Sequence, residues 1–396
     1  MSNTVRMRRE WHGSALPSHV TIPLPSPAEL VRLCTKSHPL GYTIGMPYPD
    51  ADSPVFWIKY RSKLVWNELA AQKMAHDGLR ELNSPVKAPA VYYGCQVTVH
   101  KDDAHAWQSR TYFVMEYISG KTAAQRLEEA TDDATKDDIY KQIALALSEL
   151  HRIPVPQDSR PAAVNGETIR HVLFYDNEAS IHYRNVTELE EHFNAFLTLT
   201  KRKHRVKNLA QEPMVFCYSD IWLGNFILDD QGRITVVDFE DASILPSSFS
   251  KLVLAGTWEK IDRDIRHMVV VPQAKDIDNT RALVAISYPI QVCGGFANAG
   301  RKILGYYEIE EADKVDKVVT DEQGQPLSAP AMTKLTLELR RPIAVEGLPP
   351  PPPEPRHRPY TPPPIDPAWE QKWLQYFGGG HVAQASSESQ PCPKRA

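Results

Sequence analysis

The stretch FCYSDIWLGNFILDDQGRITVVDFEDAS, Phe216–Ser243, decides how this chain is read. Its centre, FILDD followed by GRITVVDF, has two apolar runs around Asp229, Asp230, Gln231 and Gly232. Those residues supply turn chemistry, so the pattern predicts a β-hairpin. A loop with Asp220 and Asn225 stands just before the first strand, and Asp238 stands just after the second. A hairpin returns its second end to its first, so two carboxylates and one carboxamide are expected at one mouth. A lone aspartate in a loop is ordinarily a turn or cap residue. Asp-x4-Asn, a hairpin and then Asp-Phe-Glu is a pattern that turn chemistry alone does not require. It suits phosphoryl transfer from a magnesium nucleotide, which needs a carboxylate facing the acceptor hydroxyl and hard oxygen ligands for Mg²⁺.

Outward from that segment the organisation is mixed. Val55–Tyr60, Ala90–Val99 and Thr111–Ile118 are β-branched and aromatic runs of strand length. Between the first two, Ser62–Ala75 predicts a helix with Val65, Leu69 and the stem of Lys73 on one face. In KDDIYKQIALALSELHRI, Ile139, Ile143, Ala146, Leu147 and Leu150 recur at the period of a buried helical stripe. Thr187 with Glu190 has the form of a capping box and predicts a helix start there. The basic run Lys201–Lys207 after it reads as a solvated helix end, with a phosphate-attracting patch as the lesser alternative. TRALVAISYPIQVCGGF is expected to give one or two short helices interrupted at Pro289.

Composition bounds the function. Of 396 residues, 42% are hydrophobic and 24% charged, enough apolar material for a core. The net charge of −4 gives no reason to expect nucleic acid as a partner. Cys34, Cys95, Cys217, Cys293 and Cys392 are scattered, without the spacing of a zinc site or a disulfide framework, and read as reduced thiols. The N-terminus has no apolar secretory core, and the longest uncharged stretch, Leu283–Gly300, is too polar to span a membrane. A cytoplasmic protein without membrane contact is the expectation. Pro342–Pro367 is dominated by proline, including Pro349–Pro353, and cannot form a helix or an inner strand. It reads as an extended spacer, or else as a ligand for a proline-motif-binding partner.

The residues of the central segment resemble the catalytic core of the aminoglycoside phosphotransferase and choline kinase branch of the protein-kinase-like fold. Tyr218-Ser219-Asp220 stands where that family shows His-Gly-Asp, Asn225 matches its asparagine, and Asp238-Phe239-Glu240 matches its second metal motif. In outline the chain is closest to uncharacterised fungal-type members, in which Phe-Cys-Tyr-Ser-Asp replaces the usual opening. The resemblance implies Asp220 as catalytic base and Asn225 and Asp238 as Mg²⁺ ligands. Upstream it implies Lys59 as the phosphate-contacting lysine and Glu68 as its ion-pair partner, with Glu81 a weaker rival. In YFVMEYISG it implies a hinge, with Met115 guarding an adenine pocket and the Glu116 carbonyl and Ile118 N–H facing the adenine edge. Leu150 and His151 would be structural.

The implied fold class is α+β and bilobal, a small antiparallel-sheet N-lobe with a larger, mainly helical C-lobe. The expected division is a flexible N-terminus over 1–20, an N-lobe over 21–118, a C-lobe over 119–341 and a largely disordered proline-rich tail over 342–396. The implied activity is ATP- and Mg²⁺-dependent transfer to the hydroxyl of a small-molecule alcohol. The competing expectation is a kinase-like binding module without turnover that presents its tail to partners. That alternative draws on Tyr218 and Ser219 and on an untidy glycine loop holding Gly41 and Gly45. Trp222 and Leu223 fill positions often small or polar, which predicts a narrower or more apolar acceptor pocket. No Ala-Pro-Glu-type segment follows Asp238, so protein hydroxyls are the less favoured acceptors.

Overall fold

The runs read as strands pair into one antiparallel sheet. A computed structural model describes residues 4–34, 44–49, 52–62, 64–101, 106–256 and 261–294. Everything expected of 301–341, of the proline-rich tail and of Gly41 therefore lies outside the described residues. The first sheet holds β1 (Thr4–His12), β2 (Ile44–Tyr48), β3 (Phe56–Arg61), β4 (Val91–Lys101) and β5 (Ala106–Glu116), in the order β1-β4-β5-β3-β2. The reading of residues 1–20 as a flexible end is corrected by β1, which runs antiparallel to β4 along its edge. The paired stretch is rich in arginine, which blunts an edge strand without preventing pairing.

Alternation within β3 sets the position of Lys59. Phe56, Ile58 and Tyr60 are buried in one apolar cluster, so Trp57 and Lys59 point from the opposite face. Gly45 of β2 lies opposite Lys59 in register. Its role is close approach: a Cβ there would come within 2.0 Å of the Trp57 indole. Behind that face runs α2 (Asn67–Glu81), the helix that follows the short α1 (Pro27–Leu33) in the chain. It begins five residues later than expected and ends six later. Its buried face is Leu69, Ala71, Gln72, Ala75 and Leu79, whereas Val65 precedes the helix and Lys73 pairs with Asp77.

The later half is mainly helical. α3 (Ala123–Glu129) starts at a capping box between Thr122 and Gln125. In α4 (Asp133–His151) the expected stripe is buried: Ile139, Ile143, Ala146, Leu147 and Leu150. At about 2 kcal/mol per buried Ile or Leu, that stripe outweighs the cap at Asp132, worth about 1 kcal/mol, in fixing the register. α5 (Val186–Leu199) is capped by Asn185, whose side chain accepts from the Glu188 N–H, not by Thr187. Glu190 instead accepts from the Leu209 N–H at 2.7 Å. The basic run beyond α5 is solvated as expected, with Lys201, Lys203, His204, Arg205 and Lys207 exposed. α6 spans Ser247–Gly256, and α7 (Thr280–Gly294) continues through Pro289 as one helix. Leu283, Ile286 and Ile290 are buried on both sides of the proline, a shared apolar face that carries the helix across the lost hydrogen bond.

Two small sheets hold the central segment. β6 (Lys121–Thr122), β9 (Phe226–Leu228) and β10 (Ile234–Val236) form one, with β9 and β10 as the expected hairpin. Its turn is closed by Asp229, whose side chain accepts from the Gln231 and Arg233 N–H groups, and by Gly232 at φ 73°. The second holds β7 (Ala162–Ala163), β8 (Met214–Tyr218) and β11 (Ala242–Pro246). β11 was not foreseen. It pairs with β8 from Ala242 opposite Tyr218 to Pro246 opposite Met214. Lys87 joins the first half to the hairpin, donating to the Ile234 carbonyl and accepting from the Val236 N–H.

Candidate active site

The site is built where β8 and the hairpin end. Leaving β8, Tyr218 is buried with its ring edge-on to Phe239, and its hydroxyl donates to the Val237 carbonyl at 2.9 Å. Ser219 donates from both N–H and hydroxyl to the Asp241 carbonyl, at 3.1 and 2.8 Å. The two residues that depart from His-Gly thus clasp the backbone on either side of Asp238. A glycine at 219 would lack the hydroxyl contact. Burial, then the Asp238 and Asp220 carboxylates, push the Tyr218 phenol well above its ordinary pKa. Tyr218 therefore stays neutral and keeps its donor.

The predicted carboxylates and amide come together around that clasp. Asn225 donates from Nδ2 to the Asp220 carbonyl at 3.0 Å and to Asp220 Oδ2 at 2.9 Å. Its backbone carbonyl accepts from the Val237 N–H at 2.9 Å, one residue before Asp238. Asp238 lies in the left-handed region at φ 62°, which aspartate tolerates better than most residues, and which turns its carboxylate out of the hairpin direction.

Lys59 reaches this loop from the first sheet. Its Nζ lies 2.7 Å from Glu68 Oε1 and 2.9 Å from Asp238 Oδ1. Burial opposes the ammonium, but Glu68 and Asp238 together hold it above its ordinary pKa. Burial pushes Glu68 up to about 7, against the pull of Lys59 and with the push of Asp238. Glu81, the rival, is exposed at the far end of α2. Glu68 Oε2 is buried without a hydrogen-bond partner. Carboxylate oxygens of Glu68, Asp238 and Glu240 all lie within 4.8 Å of one another.

Met115 and Glu116 end β5, and Ile118 follows it. Met115 is buried, and its sulfur faces Gln72 Nε2 at 3.5 Å. Glu116 donates its N–H to the Ala90 carbonyl and takes the Ala90 N–H on its side chain, at 2.8 and 3.0 Å. Ile118, two residues on, is half-buried. Trp222, next to the loop of Asp220, is 55% exposed; a Cβ on Gly224 would sit 2.2 Å from its ring. Leu150 is buried in the core and His151 bonds the Val270 carbonyl at 3.0 Å, the structural parts expected of them.

A second cluster was missed in the sequence. Arg170 donates to Asp241 Oδ1 from Nε at 3.0 Å and Nη2 at 2.7 Å, and to Glu240 Oε1 at 3.2 Å. Asn177 donates to the other Asp241 oxygen at 2.6 Å. Asn67, the first residue of α2, donates from one amide to the Glu240 and Ala242 carbonyls. Arg170 lies in a segment without periodicity, and nothing in its spacing announces it. Asn67 had a weak signal, a polar residue directly before Glu68.

An antiparallel sheet bearing a Lys–Glu pair, followed by a helical part with a hairpin between Asp-x4-Asn and Asp-Phe-Glu, is the protein-kinase-like α+β fold. Residues 66–248, which carry all of these features except β1–β3 and Lys59, match the phosphotransferase enzyme family, APH. No curated protein is significantly similar to the chain. Among solved structures, the AMP-bound complex of spectinomycin phosphotransferase APH(9)-Ia is 14% identical, over 66% of this chain and 85% of that one, with a TM-score of 0.33. A thermostable aminoglycoside phosphotransferase APH(4)-Ia in a ternary complex with AMP-PNP and hygromycin B is 12% identical, over 72% and 92%, with a TM-score of 0.34. Likenesses of that degree say nothing of this chain's substrate. Among the described residues no helix is long and apolar enough to cross a membrane.

Proposed function

We propose that this chain transfers the γ-phosphoryl group of ATP to the hydroxyl of a small molecule. The observation that supports it best is the bridge from Lys59 to both Glu68 and Asp238, beside an Asp220 held by Asn225. In this reading Lys59 meets the nucleotide phosphates and Glu68 keeps the lysine aimed. Met115 closes the adenine pocket, and the Glu116 carbonyl and Ile118 N–H meet the adenine edge.

The donor set suits Mg²⁺. Asn225 spends its amide nitrogen on Asp220, which leaves its side-chain oxygen as the atom able to meet a cation. The Asp238 side chain is 39% exposed, against 1% for Glu68, so it can turn from Lys59 to a ligand without unburying itself. Both offer hard oxygens, the kind Mg²⁺ takes. Asn225 and Asp238 would hold the ion, which supplies neutralisation of phosphate charge.

Asp220 acts as base. It accepts the acceptor's hydroxyl proton as the oxygen–phosphorus bond forms and the bond to the β-phosphate oxygen breaks, leaving ADP. Asn225 holds the Asp220 side chain through Oδ2 and so fixes the direction of its carboxylate. Trp222 offers an exposed indole on that side.

The test uses purified full-length protein. Magnesium-dependent ATP binding by calorimetry is expected, with phosphate transfer found in a panel of alcohols and amino sugars. Asp220→Ala is expected to abolish transfer with ATP binding kept, and Asp238→Ala to weaken ATP binding only when Mg²⁺ is present. Nucleotide binding without turnover on any acceptor would favour the binding-module reading. No magnesium-dependent binding at all would refute the kinase reading.

A further inference from the structure

We infer that Asn67 is a positioning residue for the nucleotide site, a strut that fixes Glu68 by tying the start of α2 to the loop of Asp238. The inference rests on the phosphotransferase reading above. Asn67 is 0% exposed, and all of its partners are backbone groups. Its Nδ2 donates to the Glu240 carbonyl at 3.0 Å and to the Ala242 carbonyl at 2.8 Å. Its Oδ1 accepts from the Asn165 N–H at 3.2 Å. One carboxamide therefore joins three pieces of chain distant in sequence: the helix of Glu68, the loop just after Asp238, and the turn after β7.

The chemistry at position 67 is narrow. Two carbonyl oxygens face one amide nitrogen, so the residue must donate twice. An N–H faces the other end, so it must also accept. Only a carboxamide does both. Aspartate has the same shape but would set a carboxylate against two carbonyls. Alanine would take the side-chain partner from three backbone groups, of which the Ala242 carbonyl is buried.

Position explains the consequence. Glu68 is the next residue along α2, and its Oε1 bonds Lys59 at 2.7 Å. The same Lys59 ammonium meets Asp238 Oδ1 at 2.9 Å. Glu68 thus has one tether on its side-chain end, to Lys59, and one at its backbone, through Asn67 to the loop that bears Asp238. The second does not depend on Lys59, the group that swings from Asp238 to a phosphate. Asn67 then keeps Glu68 aimed, so the lysine moves against a fixed anchor. Ion pairing alone does not supply this, because Lys59 is the moving part.

The experiment measures ATP binding by calorimetry with and without Mg²⁺, on full-length protein. Asn67→Ala is expected to raise the Kd for ATP about tenfold in Mg²⁺ and by less than about twofold without it. In a Glu68→Gln background the same substitution is expected to add less than about twofold, because its effect runs through Glu68. Asn67→Asp is expected to behave as Asn67→Ala does or worse. A lowered melting temperature with unchanged Kd, or an effect that adds fully to Glu68→Gln, would reduce Asn67 to a folding residue and overturn the inference. Should both variants fail to fold, amide exchange on the unaltered protein decides. The Asn165 N–H is expected to be as protected as the amides of β11, and rapid exchange there overturns the strut. If the unaltered protein binds no ATP, the phosphotransferase reading falls and takes the inference with it; binding intact but indifferent to Asn67 defeats the inference alone.

Discussion

Two ion-pair clusters, each one cation with two carboxylates, flank the same short loop, and they are built differently. On one side Lys59 meets Glu68 and Asp238; on the other Arg170 meets Asp241 and Glu240. Arginine presents a rigid planar fork, and Asp241 receives two of its N–H groups plus the Asn177 amide. Lysine presents a compact charge on a flexible stem, and Glu68 keeps one buried oxygen without a partner. The arginine side is closed with strong directed bonds. The lysine side is poised, with its second carboxylate open to solvent. A molecule that only needed stability would have little reason to differ so across one loop. The difference separates a fastening from a working contact.

Substitutions can break that contrast. The largest effect is expected at the reaction itself: Asp220→Asn keeps the Asn225 contact but not the base. Transfer should fall by about 10⁴-fold, or about 5.5 kcal/mol of barrier, in a steady-state assay. Next comes the fastening. Arg170→Ala leaves Asp241 buried and unpaired, and urea denaturation is expected to show a loss of about 3–5 kcal/mol. Lys59→Met should cost less by the same measurement, since Asp238, one of the lysine's two partners, is 39% exposed and can return to water. It should nevertheless abolish magnesium-dependent ATP binding. Equal losses of stability at the two positions would erase the distinction drawn between them.

Smaller effects sharpen it. Burial holds His151 down at about 4 and His171 down at about 3, below the 6.5 of an unfolded chain. Both stay neutral in the fold while the unfolded chain takes up protons, so stability falls as pH drops from 6.5 toward those values. Each histidine contributes about 1.4 kcal/mol per pH unit within that window. His171→Asn is expected to flatten the slope between pH 6 and pH 4 by about that much in a melt series. Smallest is Tyr218→Phe, which removes the bond to the Val237 carbonyl and should cost about 1 kcal/mol.

The two clusters also differ in how far they can be read without coordinates. The lysine side was legible: Asn225 and Asp238 stand at the two mouths of a hairpin, and the family resemblance points to Lys59 in β3 and Glu68 on the next helix. The stripe of α4 was legible as well, since its period is fixed by the helix itself. The arginine side was not, because Arg170 and Asp241 meet across 71 positions through chain with no periodic pattern. β11 escaped notice because ASILP contains a serine and a proline, and only its pairing with β8 makes it a strand. β1 was missed because the arginines of an edge strand resemble those of a solvated end. The late start of α2 comes from Asn67, whose side chain is held by tertiary partners that no propensity contains.

Only five residues, Val237–Asp241, separate β10 from β11, the strand that returns beside β8. A chain that short has no slack to coil out of the way and back. Control by ordering and releasing such a stretch, for instance after a side chain there is modified, has no room to operate. The loop that carries Asp238 is set by the strands on either side of it as soon as they pair.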